Sequence, residues 1–393
     1  MLELLSVTAL GVLIGALTGS IPGLHPNTIV FSSFPIYFST SIGLPTYIAF
    51  VAGLSVSHTF HDFLPAIYLS APSSESAVAS IPGAEMVKNG DGKTAYHYTV
   101  TGGIIAVTAV TVLSPLFFFL LDPVYDFLSG FMAYILGFFL VFIIFENWKI
   151  SALTVTALSG AIGVIAFRMP VNQSFILMPV FSGLFAVPAA LDVFISDFNI
   201  PEQGDVEKEV SWRGGLIGFV SGLIAGTVPG VGAGAATSFL SPLIEDRKEV
   251  LTGLGAVNTS DIFISFIALF VLEKARSGAS VAIQTLGDLS VPLFLTAVGS
   301  SFLAVGLSLP LTARTEKVFL RSVRFFDLNT VLLSVLSVIL GLTVYFTGFL
   351  GVLVLVVSSL VGFLAWFKDC RTCAMAVLIV PALFFYLGVG IFI

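Results

Sequence analysis

Two acidic residues stand in apolar stretches of the chain, beside hydroxyl, amide and imidazole groups. Asp62 ends the run SVSHTFHD, and Asp261 ends the run VNTSD. An ionised Asp within a membrane costs at least about 2.5 kcal/mol, so it usually faces a cavity, a cation or a partner group. We therefore predict that the two carboxyl groups and their neighbours bind a coupling cation, either Na⁺ or a proton. The alternative is that each Asp only caps a helix. The predicted set is Ser57, His58, Asp62, Asn258, Thr259 and Asp261.

The first acidic stretch also has the residue types of a metal site. His58, His61 and Asp62 are three and four residues apart, which predicts that they share one face of a helix and could supply metal ligands. The second acidic stretch has Asn and Ser at the related positions, and a complete site needs more ligands. We expect cavity residues that bind protons or form hydrogen bonds, with no resident metal and no other cofactor.

Two Pro-Gly pairs, Pro22-Gly23 and Pro229-Gly230, interrupt apolar runs. A helix that restarts after such a break offers unpaired N–H groups and the positive end of its dipole, which attract carboxylates and phosphates. Broken helices persist at membrane depth only where protein or a watery cavity satisfies their backbone groups. The breaks therefore predict an anion-binding site. The predicted substrate-binding residues are Pro22, Gly23, Ser76, Ser80, Pro229, Gly230 and Gly232.

Each Pro-Gly pair follows glycines spaced four residues apart, and the whole pattern recurs 207 positions later. Small residues at this spacing typically form helix-packing faces in membranes, and we prefer this interpretation for the glycines. The recurrence also indicates a duplication. In a second, weaker match downstream, HTFHD resembles NTSD with one residue dropped, so that Asp62 corresponds to Asp261. The six glycines are Gly11, Gly15, Gly19, Gly218, Gly222 and Gly226.

The composition restricts the class of protein. The chain has 393 residues, of which 57% are hydrophobic and 10% are charged, whereas about 25% are charged in a soluble domain. This excludes an ordinary soluble enzyme, a nucleic-acid-binding protein and a disordered chain. Because apolar runs near 20 residues recur from end to end, we predict an all-α polytopic membrane protein. It would have about 10–12 membrane segments, some broken or re-entrant. Sharp turns are predicted at Asp122-Pro123, Glu146-Asn147 and Lys368-Asp369, with a further break between 347 and 349.

The distribution of Lys and Arg predicts the orientation of the chain. Basic residues occur in the loops 85–98 and 245–249, whereas the related segments 287–288 and 39–45 have none. By the positive-inside rule the chain consists of two inverted-topology repeats, the basic loops are cytoplasmic, and both termini lie outside. We divide the chain into a first repeat core (1–105), connecting helices (106–211), a second repeat core (212–313) and C-terminal helices (314–393).

The GxxxGxxxGxxPG element, present twice, resembles the large membrane subunit of tripartite tricarboxylate transporters. The resemblance includes IPGAEMVKNGDGKTAYHYTVTGG in the first half and PGVGAGAATSFLSP in the second, and it spans about residues 8–105 and 215–290. It implies secondary transport of a di- or tricarboxylate, coupling to Na⁺ or H⁺, a small four-helix membrane subunit and an extracytoplasmic solute-binding protein. This chain is shorter than the usual member, and SVSHTFHDFLP replaces a glycine-rich segment. A short relative, such as an archaeal one, could act alone.

We predict a secondary active transporter, a permease that moves a small organic anion across the cell membrane by alternating access. One rival is a cation exchanger or ion channel that uses the same broken helices, and a second is a membrane-embedded metal enzyme built on His58, His61 and Asp62. No nucleophile elbow, HExxH or Walker sequence occurs, so we do not expect an enzyme. The expected partners are a carboxylate and the lipid bilayer, and homo-oligomers are possible. Lys274 and Arg276 fall outside, where they draw in anions or snorkel to the interface.

Overall fold

The part of the chain that the structure describes is mostly helical. The computed structural model describes residues 1–21, 24–69, 80–147, 150–171, 173–188, 190–191, 200–233, 236, 246–325 and 328–389. The helices are α1 (Leu2–Gly19), α2 (Pro26–Ser32), α3 (Phe34–Ser39), α4 (Leu44–His61), α5 (Phe63–Tyr68), α6 (Ser80–Lys88), α7 (Gly92–Ser129), α8 (Met132–Asn147), α9 (Ile150–Ala166), α10 (Gln173–Phe181), α11 (Trp212–Ala225), α12 (Arg247–Leu272), α13 (Gly278–Leu286), α14 (Val291–Phe325), α15 (Leu328–Phe367) and α16 (Ala376–Tyr386). A π-helical turn (Ser182–Ala186) follows α10, and a 3₁₀ turn (Arg371–Met375) precedes α16.

Long apolar helices confirm the prediction of an all-α polytopic membrane protein. Five helices among the described residues are long and apolar enough to cross a membrane, because a span needs about 20 residues at 1.5 Å each. They are Leu2–Gly19, Gly92–Ser129, Arg247–Leu272, Val291–Val323 and Leu332–Phe367.

The predicted turn at Asp122-Pro123 is wrong. Helix α7 runs through Pro115 and Pro123 and ends at Ser129. A proline removes one backbone hydrogen bond, whereas opening the helix at membrane depth would leave several groups unsatisfied. The break between 347 and 349 is confirmed, because Gly348 has φ 61° and ψ −156° inside α15. Lys368-Asp369 follows the end of α15 as predicted, whereas Glu146 and Asn147 still belong to helix α8.

The glycine stripes pack two pairs of helices. Helix α1 packs along α4, and α11 packs along α12. A Cβ on Gly11 would lie 2.5 Å from the carbonyl oxygen of Phe50, and one on Gly222 would lie 2.7 Å from that of Val257. Both distances are too short for a real side chain, so the backbones touch only because these residues are glycine. The interpretation of the stripes as packing faces is confirmed.

Helices α4 and α12 form the centre of the bundle. Nearly every residue of α4 is buried, and α12 is buried over most of its length. Helix α14 packs against α4 and α1, and α7 packs against α12. The two central helices therefore hold their polar side chains away from lipid, where only protein or a cavity can satisfy them.

The predicted cytoplasmic loops 85–98 and 245–249 lie together with the segment 200–213 at one end of the bundle. The backbone N–H of Gly204 donates to the carbonyl of Gly90, at 2.8 Å, and the N–H of Gly92 donates to the side chain of Gln203, at 2.7 Å. Ion pairs join the start of α12 to the neighbouring segments. They are Arg213–Glu249, Arg247–Glu85 and Lys248–Glu209.

Candidate functional site

Polar side chains of α4 and α12 meet where the two central helices cross. The amide nitrogen of Asn258 donates to the carboxylate of Asp62 at 2.9 Å, and the hydroxyls of Thr59 and Thr259 lie 3.3 Å apart. All four residues are at most 3% exposed. A hydrogen-bonded carboxylate in such a place is a candidate cation or proton site.

A cavity of about 150 Å³ lies beside this crossing. A cavity of that size in a protein core holds a molecule as large as benzene. Its polar wall is formed by His25, Asn27, Ser55, His58, Thr59, Asp261, Arg276 and Ser277. Its remaining wall is formed by Pro26, Leu177, Phe181, Gly232, Ala233, Ile262, Gly278, Met375 and Leu378.

Both interrupted segments reach this cavity. In the first, α1 ends at Gly19 and α2 begins at Pro26, and the ring Nδ1 of the N-cap residue His25 accepts from the N–H of Asn27 at 3.2 Å. In the second, α11 ends at Ala225, and Gly230 takes the left-handed conformation with φ 77°. A left-handed residue turns the chain sharply, and glycine adopts it without strain. The chain then runs along the cavity at 232–233.

A third chain end at the cavity is the start of α13. Glu273, with φ 55°, ends α12 and turns the chain back. Ser277 caps α13, and its Oγ accepts from the N–H of Ser280 at 3.2 Å. Gly278 packs directly on the side-chain amide of Asn27, where a Cβ would not fit. The positive end of the α13 dipole therefore faces the cavity.

Arg276 contributes a positively charged side chain to the wall of the cavity. Its Nε and Nη2 atoms are buried, and neither has a hydrogen-bond partner among the residues that the structure describes. The guanidinium carbon lies 5.1 Å from the centroid of the Tyr125 ring, which lies 4.3 Å from Nζ of Lys274. Buried donors without partners are rare in folded proteins. The geometry therefore offers two donors, in a planar fork, to a ligand.

His58 and Asp261 hold equivalent positions in the two glycine-packed pairs. A Cβ on Gly19 would lie 3.0 Å from the carbonyl oxygen of His58, and one on Gly226 would lie 3.2 Å from that of Asp261. The predicted match of Asp62 with Asp261 is therefore wrong in the folded chain. The glycines of α1 approach the carbonyl groups of Phe50, Leu54 and His58 in α4, and the glycines of α11 approach those of Gly253, Val257 and Asp261 in α12. Each of these α4 residues is therefore equivalent to the residue 203 positions later in α12.

The sequence model of the tripartite tricarboxylate transporter TctA family matches residues 5–377. The chain belongs to this family. An uncharacterized protein of Methanocaldococcus jannaschii is 27% identical over 395 residues, covering 96% of this chain and 98% of that protein. The TctA-family chain thus resembles an archaeal protein of about its own length. No solved structure matches it.

The structure distributes the predicted coupling-ion residues of this TctA-family chain over two places. His58 and Asp261 line the cavity, and Asp62, Asn258 and Thr259 lie at the helix crossing. Ser57 is in neither place, because its hydroxyl donates to the carbonyl of Val12 at 2.8 Å and so joins α4 to α1.

The predicted substrate residues are described in part. Gly232 lines the cavity, and among the described residues no atom beyond its chain neighbours lies within 4 Å of the position that a Cβ would occupy there. Pro229 and Gly230 lie in the turn after α11, where Gly230 packs on α16. Ser80 begins α6. Pro22, Gly23 and Ser76 lie outside the described residues.

The three residues considered as metal ligands diverge in the structure. Nδ1 of His61 lies 2.7 Å from the carbonyl of Ser57 in its own helix, while Nδ1 of His58 lies 3.0 Å from the hydroxyl of Thr18. Asp62 instead contacts Asn258. In the described part of the chain no group of three or more His, Cys, Asp or Glu residues could hold a metal ion.

Sequence reasoning missed four polar residues of the cavity. His25, Asn27, Ser55 and Ser277 line it, and no predicted site included any of them. A signal existed for Ser277, because a Ser before a helix-forming run is a typical N-cap. No comparable signal marks the other three, which reach the cavity only through the packing of α2, α4 and α13.

Proposed function

We propose that this chain is the permease of a secondary transporter that moves a small di- or tricarboxylate, coupled to Na⁺ or H⁺. The observation that carries the proposal is that Arg276, which has two buried donors without a hydrogen-bond partner among the described residues, lines the same cavity as Asp261. Membership of a family of tripartite transporters supports the transport function and implies partner subunits. An extracytoplasmic binding protein and a small four-helix subunit are the partners we propose.

The anion site consists of Arg276 and the start of α13. A carboxylate can accept two parallel hydrogen bonds from a guanidinium fork, and the N-terminal N–H groups of a helix add a positive field at the same place. The side chains of His25 and Ser277 stand beside it on the cavity wall. The Ser277 hydroxyl donates to Oγ of Ser280 at 3.2 Å and can rotate to donate to a ligand instead.

Asp261 couples the anion to a cation. Two unit charges about 6 Å apart interact by roughly 3 kcal/mol at an effective dielectric constant near 20, so an ionised Asp261 opposes a carboxylate in the cavity. A proton or Na⁺ on Asp261 removes this repulsion, which raises the affinity for the anion by about two orders of magnitude. By linkage the anion favours cation binding to the same extent. The Asp62–Asn258 pair is the second candidate cation site.

Alternating access exposes the cavity first to one side of the membrane and then to the other. We place the ion-paired end of α12 in the cytoplasm and Arg276 toward the outside, with both termini outside. The clustering of the basic loops 85–98 and 245–249 with the segment 200–213, which contains Lys208 and Arg213, supports this orientation, because basic loops stay inside. Labelling of single cysteines, introduced at position 90 or 274, with a membrane-impermeant reagent added to intact cells tests this orientation. We expect labelling at 274, and labelling at 90 alone would show that the orientation is the opposite.

Uptake of radiolabelled carboxylates into proteoliposomes tests the function. We expect accumulation that needs an inward Na⁺ or proton gradient and that falls in Asp261→Asn. Electrical recording from the same protein addresses the channel rival. Ion conduction without uptake of any organic acid would contradict the proposal.

A further inference from the structure

A second acidic side chain is buried far along the sequence from the predicted site. Glu316, on α14, is 8% exposed, and its carboxylate accepts a hydrogen bond from the hydroxyl of Tyr68 at 2.8 Å. Tyr68, on α5, is fully buried. Neither residue lines the cavity that contains Arg276.

The charged and titratable groups around Glu316 come from three directions. Helix α5 contributes Tyr68, and α7 contributes Lys93 and Tyr96, which act on Glu316 electrostatically. Tyr96 also interacts with Asp62, beyond the end of α4. The neighbours on α14 itself are Arg314 and Lys317. Among the described residues no Lys or Arg forms an ion pair with Glu316.

A buried carboxyl group without an ion pair is expensive to retain for packing alone. Ionisable residues inside a membrane protein cost free energy and usually mark ion or proton pathways. Glu316 can exist in both protonation states here, because a hydroxyl both donates and accepts. Tyr68 donates to the carboxylate, and it can accept from the protonated acid.

The hydrogen bond to Tyr68 connects α14 to the helices of the candidate site. Tyr68 lies in α5, six residues after Asp62 along the same chain segment. Tyr96 holds the other side of that segment, because its hydroxyl donates to the carbonyl of Phe60 at 2.8 Å. Helix α14 also packs on α4 and α1. A change of charge on Glu316 therefore acts on the position of the segment that contains Asp62.

We propose that Glu316 binds and releases a proton during the transport cycle, with Tyr68 as its hydrogen-bond partner. The step is a simple protonation, in which the carboxylate takes one proton from the aqueous side and later returns it as the acid dissociates. This inference rests on the proposed transport function and assigns to it a titrating residue outside the cavity.

Infrared pH-difference spectra of the purified full-length protein test protonation directly. Glu316→Gln keeps an acceptor for Tyr68 but cannot titrate, and Glu207→Gln makes the same chemical change on an exposed side chain. We expect one protonated-carboxyl band to disappear in E316Q and to persist in E207Q. Identical spectra of E316Q and the wild type would overturn the proposal, whether or not the protein transports carboxylates.

Proteoliposomes test the part that Glu316 plays in transport. When one proton must bind, the wild-type rate changes about tenfold per pH unit on the limiting side of the titration. We expect this dependence to flatten in E316Q, with gradient-driven uptake reduced about tenfold or more, and to remain in E207Q. An unchanged pH dependence in E316Q overturns the proposal, whereas a wild type without any carboxylate uptake overturns only the proposed function.

A variant that keeps the carboxyl group covers the case in which E316Q does not fold. Tyr68→Phe removes the hydroxyl and leaves Glu316 able to titrate. We expect the pH midpoint of the infrared band and that of uptake to shift together in Y68F. Midpoints equal to those of the wild type would contradict the assignment of Tyr68 and Glu316 as a titrating pair.

Discussion

Replacing Arg276 by Gln should have opposite effects on ligand affinity and on stability. Two buried donors of the guanidinium have no hydrogen-bond partner among the described residues. A bound carboxylate would supply the missing acceptors. The substitution removes those donors from the cavity. We expect R276Q to bind the carboxylate more weakly, while the ligand-free protein unfolds no more easily than the wild type.

The magnitudes follow from the hydrogen bonds involved. A hydrogen bond with a charged group contributes about 1.5–3 kcal/mol, so loss of a two-bond fork, which is not additive, should remove about 2–4 kcal/mol of binding free energy. This corresponds to roughly a 30- to 700-fold increase in Kd. In the empty protein each unpaired donor costs about 1–3 kcal/mol. This cost offsets what the rest of the guanidinium gains from the Tyr125 ring, 5.1 Å away, and from the side chains of Tyr125 and Tyr386.

Calorimetric titration and thermal unfolding of purified protein in detergent measure both quantities. Lys274→Gln is the matched control, because Lys274 contacts the same Tyr125 ring but does not line the cavity. We expect K274Q to bind with nearly wild-type affinity. The reasoning would be refuted if R276Q kept wild-type affinity, or if its ligand-free form lost more than about 1 kcal/mol of stability.

Three further predictions follow from packing and charge. Gly218→Ala should prevent folding or lower the unfolding temperature strongly, because its Cβ would meet backbone. Gly299→Ala should stabilise the helix by up to about 1 kcal/mol, because its Cβ would meet no described atom outside the neighbouring helix backbone within 4 Å; equal melting temperatures would contradict this. Asp62→Asn should reduce cation-stimulated uptake about tenfold or more, with the substrate Kd less affected, because the residue lies outside the cavity; unchanged cation dependence would exclude Asp62 from coupling. Glu85→Gln should change stability by less than about 1 kcal/mol, since its ion pair with Arg247 is exposed, and a larger loss in thermal unfolding would show that this pair holds the fold.

The helical fold and the glycine packing could be predicted because they depend on local pattern. Apolar runs of membrane length and glycines four residues apart each specify their structure within a short segment. The length of α7 could not be predicted in this way. In a soluble protein a proline such as Pro123 usually kinks or ends a helix. In a membrane the residues around the proline stay helical, because their backbone groups would otherwise have no hydrogen-bond partner.

The candidate site depends on long-range packing, and its prediction succeeded only in part. The alignment matched Asp62 with Asp261, whereas the packing matches His58 with Asp261, because four residues more separate the packed helices in the first pair than in the second. Arg276 reaches the cavity because Glu273 turns the chain in a left-handed conformation. Such turns are normally made by Gly or Asn, so the sequence gives no sign of this one.

The two kinds of helix contact have different mechanical properties. Where glycine brings backbone against backbone, as between α1 and α4, neither helix can slide without steric collision. Where α4 crosses α12, the contacts Thr59–Thr259 and Asp62–Asn258 are side-chain hydrogen bonds. Each of these side chains can replace its partner by a water molecule or an ion. Each two-helix unit is therefore stiffer than the interface between the two units, which lies next to the cavity.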